Sequence, residues 1–413
     1  MPSLRIVHLS DMHLAGYDDG APFDEDADLR REVEDDLQRL VDEGGSIDLL
    51  VLGGDIAGRG HSSEFEKATR WIDQLCQMLG VPEERVYCVP GNHDVDQSIV
   101  HNDAVLDTLQ RHLLDLGLTD VNPELEALLS NGSHRDLLLT HLEPYNEFAA
   151  RYGCDIQPDT MRWSQVQALG PLTIKIVGVN SALLSGPHDA RGADSSRLLL
   201  GPQMANLGRF KDTLVMLVCH HPPTWLRDRS QIEHLIERAH LQLFGHEHAA
   251  KVDELPGGRL RVHAGALHPR RSTEPWQPAY NVISLNVDDT SAFPVGIKVW
   301  QRCIQPNGQF GALNTATPIE TFTITGGAPS HTAPGDPPEP PSASPPSPTP
   351  ELHRRVAMRF AALSTERRLT AGQRLGLLTT EDLELEETIR GRQVFHRARE
   401  NDRLNELEEI IDD

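Results

Sequence analysis

The fold is decided by the stretch LRIVHLSDMH, residues 4–13, in which an apolar run leads directly into polar side chains. The run has the length and composition of a buried strand, and Asp11 and His13 follow it. Further apolar runs with the same continuation occur at 49–52, 86–89, 214–219 and 241–244. Because an α/β sheet builds its site at the ends of its strands, the polar residues after these runs are the candidate functional residues.

These polar residues form five short motifs. The motifs are Asp11-Met12-His13, Gly54-Asp55, Gly91-Asn92-His93-Asp94, His220-His221-Pro222 and Gly245-His246-Glu247-His248. In the first and the last, two donor side chains are two residues apart, so both can point into one site from a strand end. Carboxylate, amide and imidazole donors in this mixture suit divalent transition metals. We therefore expect a box for two metal ions.

A two-metal box is suited to the hydrolysis of phosphoric esters. The phosphorus atom is shielded by anionic oxygens, and water is a poor nucleophile. Two ions about 3.5–4 Å apart neutralise those oxygens and lower the pKa of a water molecule between them. The sequence therefore predicts a metal-dependent phosphoric ester hydrolase that uses metal-activated hydroxide.

The motifs and their order resemble the calcineurin-like metallophosphoesterase superfamily over roughly residues 1–300. The resemblance implies an α/β fold, a four-layer α/β/β/α sandwich. It also implies that Asp55 bridges the two metals. The other implied ligands are Asp11, His13 and His248 for the first metal, and Asn92, His220 and His246 for the second. The family pattern of a histidine two residues before proline favours His220, and His221 remains an alternative.

The same resemblance implies the catalytic residues and the cofactors. His93 would contact the phosphate and protonate the leaving oxygen, and Asp94 would orient His93. The cofactors would be two divalent transition-metal ions. We expect manganese, with iron and zinc as alternatives, because mixed oxygen and nitrogen ligation suits all three metals.

Two stretches bear on the substrate. Residues 6–13, IVHLSDMH, and residues 89–94, VPGNHD, resemble both bacterial cyclic-nucleotide phosphodiesterases and the DNA-repair nucleases of the superfamily. The formal net charge of −24 disfavours nucleic acid, because binding to its backbone needs a basic surface. We expect a phosphodiester or nucleotide substrate, with a DNA exonuclease or endonuclease as the alternative.

Composition divides the chain into three parts. We expect the phosphoesterase domain at 1–325, with a helical insertion at about 101–170 that partly covers the site. Ten prolines among the 22 residues 329–350 predict an extended linker over 326–350. Residues 351–413 predict a small helical bundle that resembles bacterial effector-associated adaptor domains. The layout favours a signalling or defence effector whose bundle recruits a protein partner; an oligomerisation module or a dispensable tail is the alternative.

Other features bear on location and surface. We see no apolar run long enough for a membrane span and no N-terminal secretion signal, and we expect a cytoplasmic protein without membrane association. Five scattered cysteines favour reduced thiols in the core. The acidic run from Asp18 to Asp36 is expected to form a solvated loop and the outer face of a helix.

Overall fold

The computed structural model describes residues 2–14, 27–186, 198–268 and 277–325, together with parts of 356–412. The predicted linker at 326–350 and the first part of the acidic run, residues 18–26, lie outside the described residues. The chain separates into two compact units. The first comprises Met1–Ala149 and Cys154–Ser330, and the second comprises Ala150–Gly153 and His331–Asp413.

The described residues of the first unit contain thirteen strands and nine α-helices. The strands are β1 (Ser3–Leu9), β2 (Leu49–Leu52), β3 (Val86–Cys88), β4 (Arg162–Leu169), β5 (Leu172–Val179), β6 (Thr213–Cys219), β7 (Leu241–Phe244), β8 (Lys251–Leu255), β9 (Arg259–His263), β10 (Ala279–Val287), β11 (Val295–Ile304), β12 (Phe310–Ala312) and β13 (Glu320–Ile324). The helices are α1 (Ala27–Asp42), α2 (Ser62–Leu79), α3 (Gln97–Asn102), α4 (Ala104–Asp115), α5 (Leu118–Ser130), α6 (Gly132–Leu139), α7 (Glu143–Ala150), α8 (Pro202–Ala205) and α9 (Arg229–Ile236).

The strands form two sheets with parallel centres. The first sheet has the order β12-β11-β10-β1-β2-β3, with β13 also paired to β11, and the second has the order β4-β5-β6-β7-β9-β8. Strands β1, β2 and β3 are parallel neighbours, as are β5, β6, β7 and β9. All other pairs are antiparallel. Carboxyl ends of neighbouring parallel strands meet at one edge, which brings distant motifs together.

The two sheets pack against each other and carry helices on their outer faces. Trp163 of β4 stacks on Tyr87 of β3 with ring centroids 5.6 Å apart. The indole N–H of Trp163 also donates to the carbonyl of Cys88 at 2.8 Å. Helix α9 contacts the second sheet, where the Gln242 side chain donates to the carbonyl of Ile236. The mixed α/β sandwich implied by the motifs is therefore confirmed.

Every apolar run predicted as a strand forms one, with bounds that differ by at most one residue. Helices α4 to α7 occupy most of the predicted insertion at 101–170. The prediction of helix was wrong for its last part, where β4 pairs with β5 over eight residues in antiparallel register. Strand β4 lies at an edge of the sheet and alternates buried residues with polar, partly exposed ones. Such a strand lacks the apolar run that made the central strands visible.

Asp36, the last residue of the acidic run, is buried rather than solvated. Its side chain has 0% exposure. It accepts hydrogen bonds from the hydroxyl of Tyr280 at 2.5 Å and from the guanidinium of Arg302 at 2.9 Å. A carboxylate is tolerated in a core when it is paired in this way. The expectation was wrong here because both partners come from strands β10 and β11, far away in sequence.

Replacing Asp36 with asparagine is expected to lower the free energy of unfolding by about 3 kcal/mol, because Arg302 and Tyr280 lose a charged acceptor inside the protein. Denaturant unfolding measures the effect. Asp35→Asn is the matched control, since Asp35 lies on the same helix with an exposed side chain. Equal unfolding free energies for the two variants would contradict the anchoring role of Asp36.

The second unit has a small helical core of its own. Its described helices are α10 (Thr365–Arg374) and α11 (Leu404–Asp412). Ser364 is the N-cap of α10, with its hydroxyl accepting from the N–H of Arg367. Ten buried apolar side chains form one cluster: Val356, Phe360, Ala371, Leu375, Leu377, Val394, Ala398, Leu404, Leu407 and Ile411. The described part of the segment is therefore helical, as its periodicity predicts.

The five cysteines are all free thiols in buried positions. This agrees with the expectation of core thiols. Among the described residues, none of the helices combines the length and the apolar character that a membrane span requires.

Candidate metal centre

The predicted donors follow strands whose carboxyl ends meet. Asp11, Asp55 and Asn92 come after β1, β2 and β3, which are parallel neighbours in the first sheet. In the second sheet, His220 follows β6, while His246 and His248 follow its parallel neighbour β7. The backbone N–H of His246 donates to Asp11 at 3.1 Å, which joins the loops of the two sheets.

Four of the predicted ligands form one cluster of donor atoms. Atoms of Asp11, His13, Asp55 and His248 all lie within 4.8 Å of one another. Nε2 of His248 is 2.8 Å from Oδ1 of Asp11, and Nε2 of His13 is 3.6 Å from Oδ2 of Asp55. The four residues therefore present two carboxylates and two imidazoles to one small volume.

Three histidines form a second cluster beside the first. Donor nitrogens of His220, His221 and His246 lie within 4.8 Å of one another. Nε2 of His220 is 3.3 Å from Oδ2 of Asp55, the same oxygen that faces His13. A single carboxylate oxygen thus faces both donor clusters.

Asn92 lies at the second cluster. Its side-chain oxygen is 3.1 Å from Nδ1 of His246 and 3.2 Å from Nε2 of His221. The other ring nitrogen of His221 is 2.8 Å from the hydroxyl of Ser181. His221 therefore has neighbours at both ring nitrogens. By contrast, His220 is held at Nδ1 by the carbonyl of Gly53 at 2.8 Å, and its Nε2 faces Oδ2 of Asp55.

Four donor atoms of the two clusters are buried without a hydrogen-bond partner. They are Oδ1 of Asp11, whose 2.8 Å contact with His248 lacks hydrogen-bond geometry, and Nε2 of His13, His220 and His246. A buried polar atom that makes no hydrogen bond costs about 1–3 kcal/mol, so a natural protein seldom keeps several of them in one place. Cations held between these atoms would satisfy all four. The residues present thus fit two divalent metal ions.

The protonation states agree with this fit. Burial lowers the pKa of His13 and of His246 to about 3, so both imidazoles are neutral at pH 7 and have a lone pair free. Burial also opposes a charge on His220, but the carboxylates of Asp55 and Asp11 outweigh it and raise the pKa to about 9. A bound cation would supply that positive charge in place of the proton.

The backbone is strained at the candidate ligands. Asp11, His13, Asp55, His246 and His248 have φ values of 55°, 45°, 51°, 67° and 56°, in the left-handed region. Among the described residues, only two other non-glycine residues have a φ value in this region, Met161 and Asp212. Residues other than glycine avoid this region, and such strain concentrates at functional sites. The tight turns direct the donor side chains inward.

Gly91 allows two loops of the centre to approach each other closely. A Cβ atom at Gly91 would collide with the carboxylate of Asp55. The N–H of His93, two residues later, donates to Oδ1 of Asp55 at 2.8 Å. The glycine therefore lets the loop after β3 close over the carboxylate that faces both clusters.

His93 and Asp94 have different hydrogen-bond partners in the loop after β3. Nδ1 of His93 lies 2.9 Å from the carbonyl of Gly58. The carboxylate of Asp94 accepts from the N–H groups of Ala57 and Gly91 at 2.7 and 2.8 Å. Asp94 therefore shapes the loop and does not hold the His93 ring directly. An orienting effect of Asp94 on His93 would therefore act through the loop, and it stays a prediction.

Two residues at the centre, Ser10 and Trp225, were not among the residues predicted from the motifs. The hydroxyl of Ser10 donates to Oδ2 of Asp11 at 2.6 Å and fixes that carboxylate. The ring of Trp225 lies against His246, with centroids 4.2 Å apart and planes at 85°. Ser10 directly precedes Asp11, which is a usable hint for a supporting residue. Trp225 is positioned by the turn after β6, and the conformation of that turn could not be predicted from the sequence.

Several solved structures are similar to the chain. A dimetal phosphatase from Danio rerio is 14% identical, with 79% of this chain and 99% of that chain covered and a TM-score of 0.44. Vps29 from Entamoeba histolytica, solved with Zn²⁺, is 10% identical, with 78% and 100% covered and a TM-score of 0.32. No curated protein sequence matches the chain.

Two family models match the chain. The GTPase-associated adaptor domain matches residues 353–413. The calcineurin-like phosphoesterase model matches residues 4–250, which include all five motifs. The chain belongs to the calcineurin-like phosphoesterase family, a family of metal-dependent hydrolases.

Proposed function

We propose that the protein hydrolyses phosphodiesters or nucleotides at a centre of two divalent metal ions. One observation carries the proposal: Oδ2 of Asp55 lies 3.6 Å from Nε2 of His13 and 3.3 Å from Nε2 of His220. An oxygen between two donor clusters is what a bridging ligand requires. Two bound cations supply positive charge for the phosphate oxygens and acidify the attacking water.

Each residue of the centre has a proposed role in metal binding or proton transfer. Asp11, His13 and His248 hold one cation, and Asn92, His220 and His246 hold the other, with Asp55 shared. His221 takes a supporting place, because its ring nitrogens lie near Ser181 and Asn92. His93 delivers a proton to the leaving oxygen. Its ring is T-shaped to that of His13 at 4.5 Å, beside the first cluster.

Removing metal with a chelator is expected to abolish hydrolysis and to lower the melting temperature, because four buried donor atoms then lack a partner. At a metal concentration a thousand times the dissociation constant, the lost stabilisation is about 4 kcal/mol. Differential scanning calorimetry and turnover, before and after addition of Mn²⁺, measure both effects. Full turnover in protein that contains no metal by elemental analysis would contradict the proposal.

A substrate panel separates a small nucleotide from DNA. Purified protein is loaded with Mn²⁺, Fe²⁺ or Zn²⁺ in turn and given cyclic nucleotides, bis(p-nitrophenyl) phosphate, phosphomonoesters and single-stranded DNA. We expect turnover of the nucleotides and the diester, because a chain of net charge −24 repels a polyanion. Robust DNA cleavage without nucleotide turnover would favour the nuclease alternative.

The C-terminal match supports a second role beside hydrolysis. Because the model that matches residues 353–413 describes a GTPase-associated adaptor domain, we propose that this segment recruits a protein partner, with a GTPase as the first class to test. A chain lacking residues 329–413 is expected to keep its turnover and to lose partner binding. Loss of folding of the remaining chain would indicate a structural part instead.

A further inference from the structure

Trp225 is an aromatic ring at the edge of the candidate centre. Its ring centroid lies 4.2 Å from that of His246, whose own ring is 4.4 Å from His221 and 5.2 Å from His220. The Trp225 side chain is partly exposed. In the part of the chain that the structure describes, its indole N–H has no hydrogen-bond partner. A large aromatic surface and a free donor thus lie beside the second donor cluster.

The turn that carries Trp225 is rigid. Two prolines precede it, and its N–H donates to the carbonyl of Pro222 at 2.9 Å. The chain just after it is anchored to the end of α4, where the guanidinium of Arg227 donates to the carbonyl of Leu114 at 2.8 Å. A ring that is held in place before binding loses little conformational entropy when a ligand stacks on it.

Tyr145 of helix α7 is a second aromatic residue, and it is enclosed in the core. Its side chain has 0% exposure, and its hydroxyl lies 3.5 Å from the thiol of Cys88. It packs against Phe65 with centroids 6.2 Å apart. A ligand cannot reach a ring enclosed in this way, whereas the ring of Trp225 is partly exposed beside the second donor cluster.

We propose that Trp225 stacks on the nucleobase of the substrate and makes the site selective for phosphoesters that carry a base. The inference rests on the proposed phosphoesterase function and names its substrate class. Stacking of a base on an aromatic side chain contributes about 1–3 kcal/mol and needs no positive charge. In a chain of net charge −24, an uncharged contact of this size adds affinity that surface electrostatics do not supply.

The test compares two diesters with the same leaving group: thymidine 5′-(p-nitrophenyl phosphate), which carries a base, and methyl p-nitrophenyl phosphate, which does not. Trp225→Ala is expected to lower kcat/KM for the thymidine ester about 10- to 100-fold and to leave the methyl ester nearly unchanged. Trp225→Phe keeps an aromatic face and is expected to retain most of the activity on the thymidine ester. Metal content and melting temperature of each variant show whether His246 is disturbed.

Two results would overturn the proposal. The first is an equal loss on both esters, with a fall in bound metal, which would make Trp225 a support for His246. The second is no loss on either ester. If metal-loaded wild-type protein hydrolyses neither ester, the proposed function fails instead. In that case, the affinity for thymidine 5′-monophosphate is measured by calorimetry for the wild type and for Trp225→Ala. A lower affinity of Trp225→Ala supports stacking, and equal affinities refute it.

Discussion

Replacing Asp55 with asparagine is expected to reduce kcat/KM by about a thousandfold or more and to reduce bound metal from two ions per chain to one or none. The effect is large because charge stabilisation by the ions is worth several kcal/mol, and about 4 kcal/mol corresponds to a thousandfold in rate. Steady-state kinetics on a phosphodiester and elemental analysis of the same samples measure the two effects.

The hydrogen bonds of Asp55 explain why replacing one of its carboxylate oxygens with an NH₂ group is expected to have a large effect on metal binding. Oδ1 of Asp55 accepts the N–H of His93 at 2.8 Å, so the carboxamide oxygen is retained there. The NH₂ group must then take the position of Oδ2, which faces His13 and His220. An NH₂ group is a hydrogen-bond donor and offers no lone pair to a cation. The variant therefore loses the contact to both clusters.

Asp96→Asn is the matched control for this variant. Asp96 is an acid close to the same loop, and its carboxylate accepts from the N–H of Ser98 at the start of α3. Asparagine is an equally good residue at this position. We expect Asp96→Asn to keep its metal and its turnover. If Asp55→Asn also kept two ions and full turnover, the bridging role would be wrong.

The central strands, and the candidate donors that follow them, could be predicted from the sequence. Strands β1, β2, β6 and β7 are buried on both faces, so each appears as a continuous apolar run. The polar residues after such runs stand out because they end the strand abruptly. Strand β4 was missed because it lies at an edge, where polar side chains remain exposed and the pattern is weak.

Features that depend on tertiary packing could not be predicted. The left-handed φ values of Asp11 and His13 are imposed by the hydrogen bonds of their N–H groups to the carbonyls of Gly54 and Asp55. Aspartate and histidine seldom adopt the left-handed conformation, so it could not be predicted from the residue types. The inward turn of Asp94 and the burial of Asp36 likewise depend on partners that are distant in sequence.

Replacing His93 with alanine is expected to lower turnover about 10²- to 10⁴-fold on a phosphodiester with an alkyl leaving group, the usual contribution of a general acid. An alkoxide is a strong base and needs a proton as it leaves, whereas p-nitrophenolate does not. We therefore expect only a small loss on bis(p-nitrophenyl) phosphate. The ratio of the two effects, measured by steady-state kinetics, isolates proton transfer from every other role of the residue.

The structure makes this variant a clean test, because the contact of His93 with the carboxylate of Asp55 is made by the backbone. Its N–H donates to Asp55, and alanine keeps that N–H. The change removes the imidazole, its contact with the carbonyl of Gly58 and its edge contact with the ring of His13. The variant is therefore expected to bind two metal ions like the wild type. Equal losses on both leaving groups, with metal retained, would mean that His93 contacts the phosphate without donating a proton.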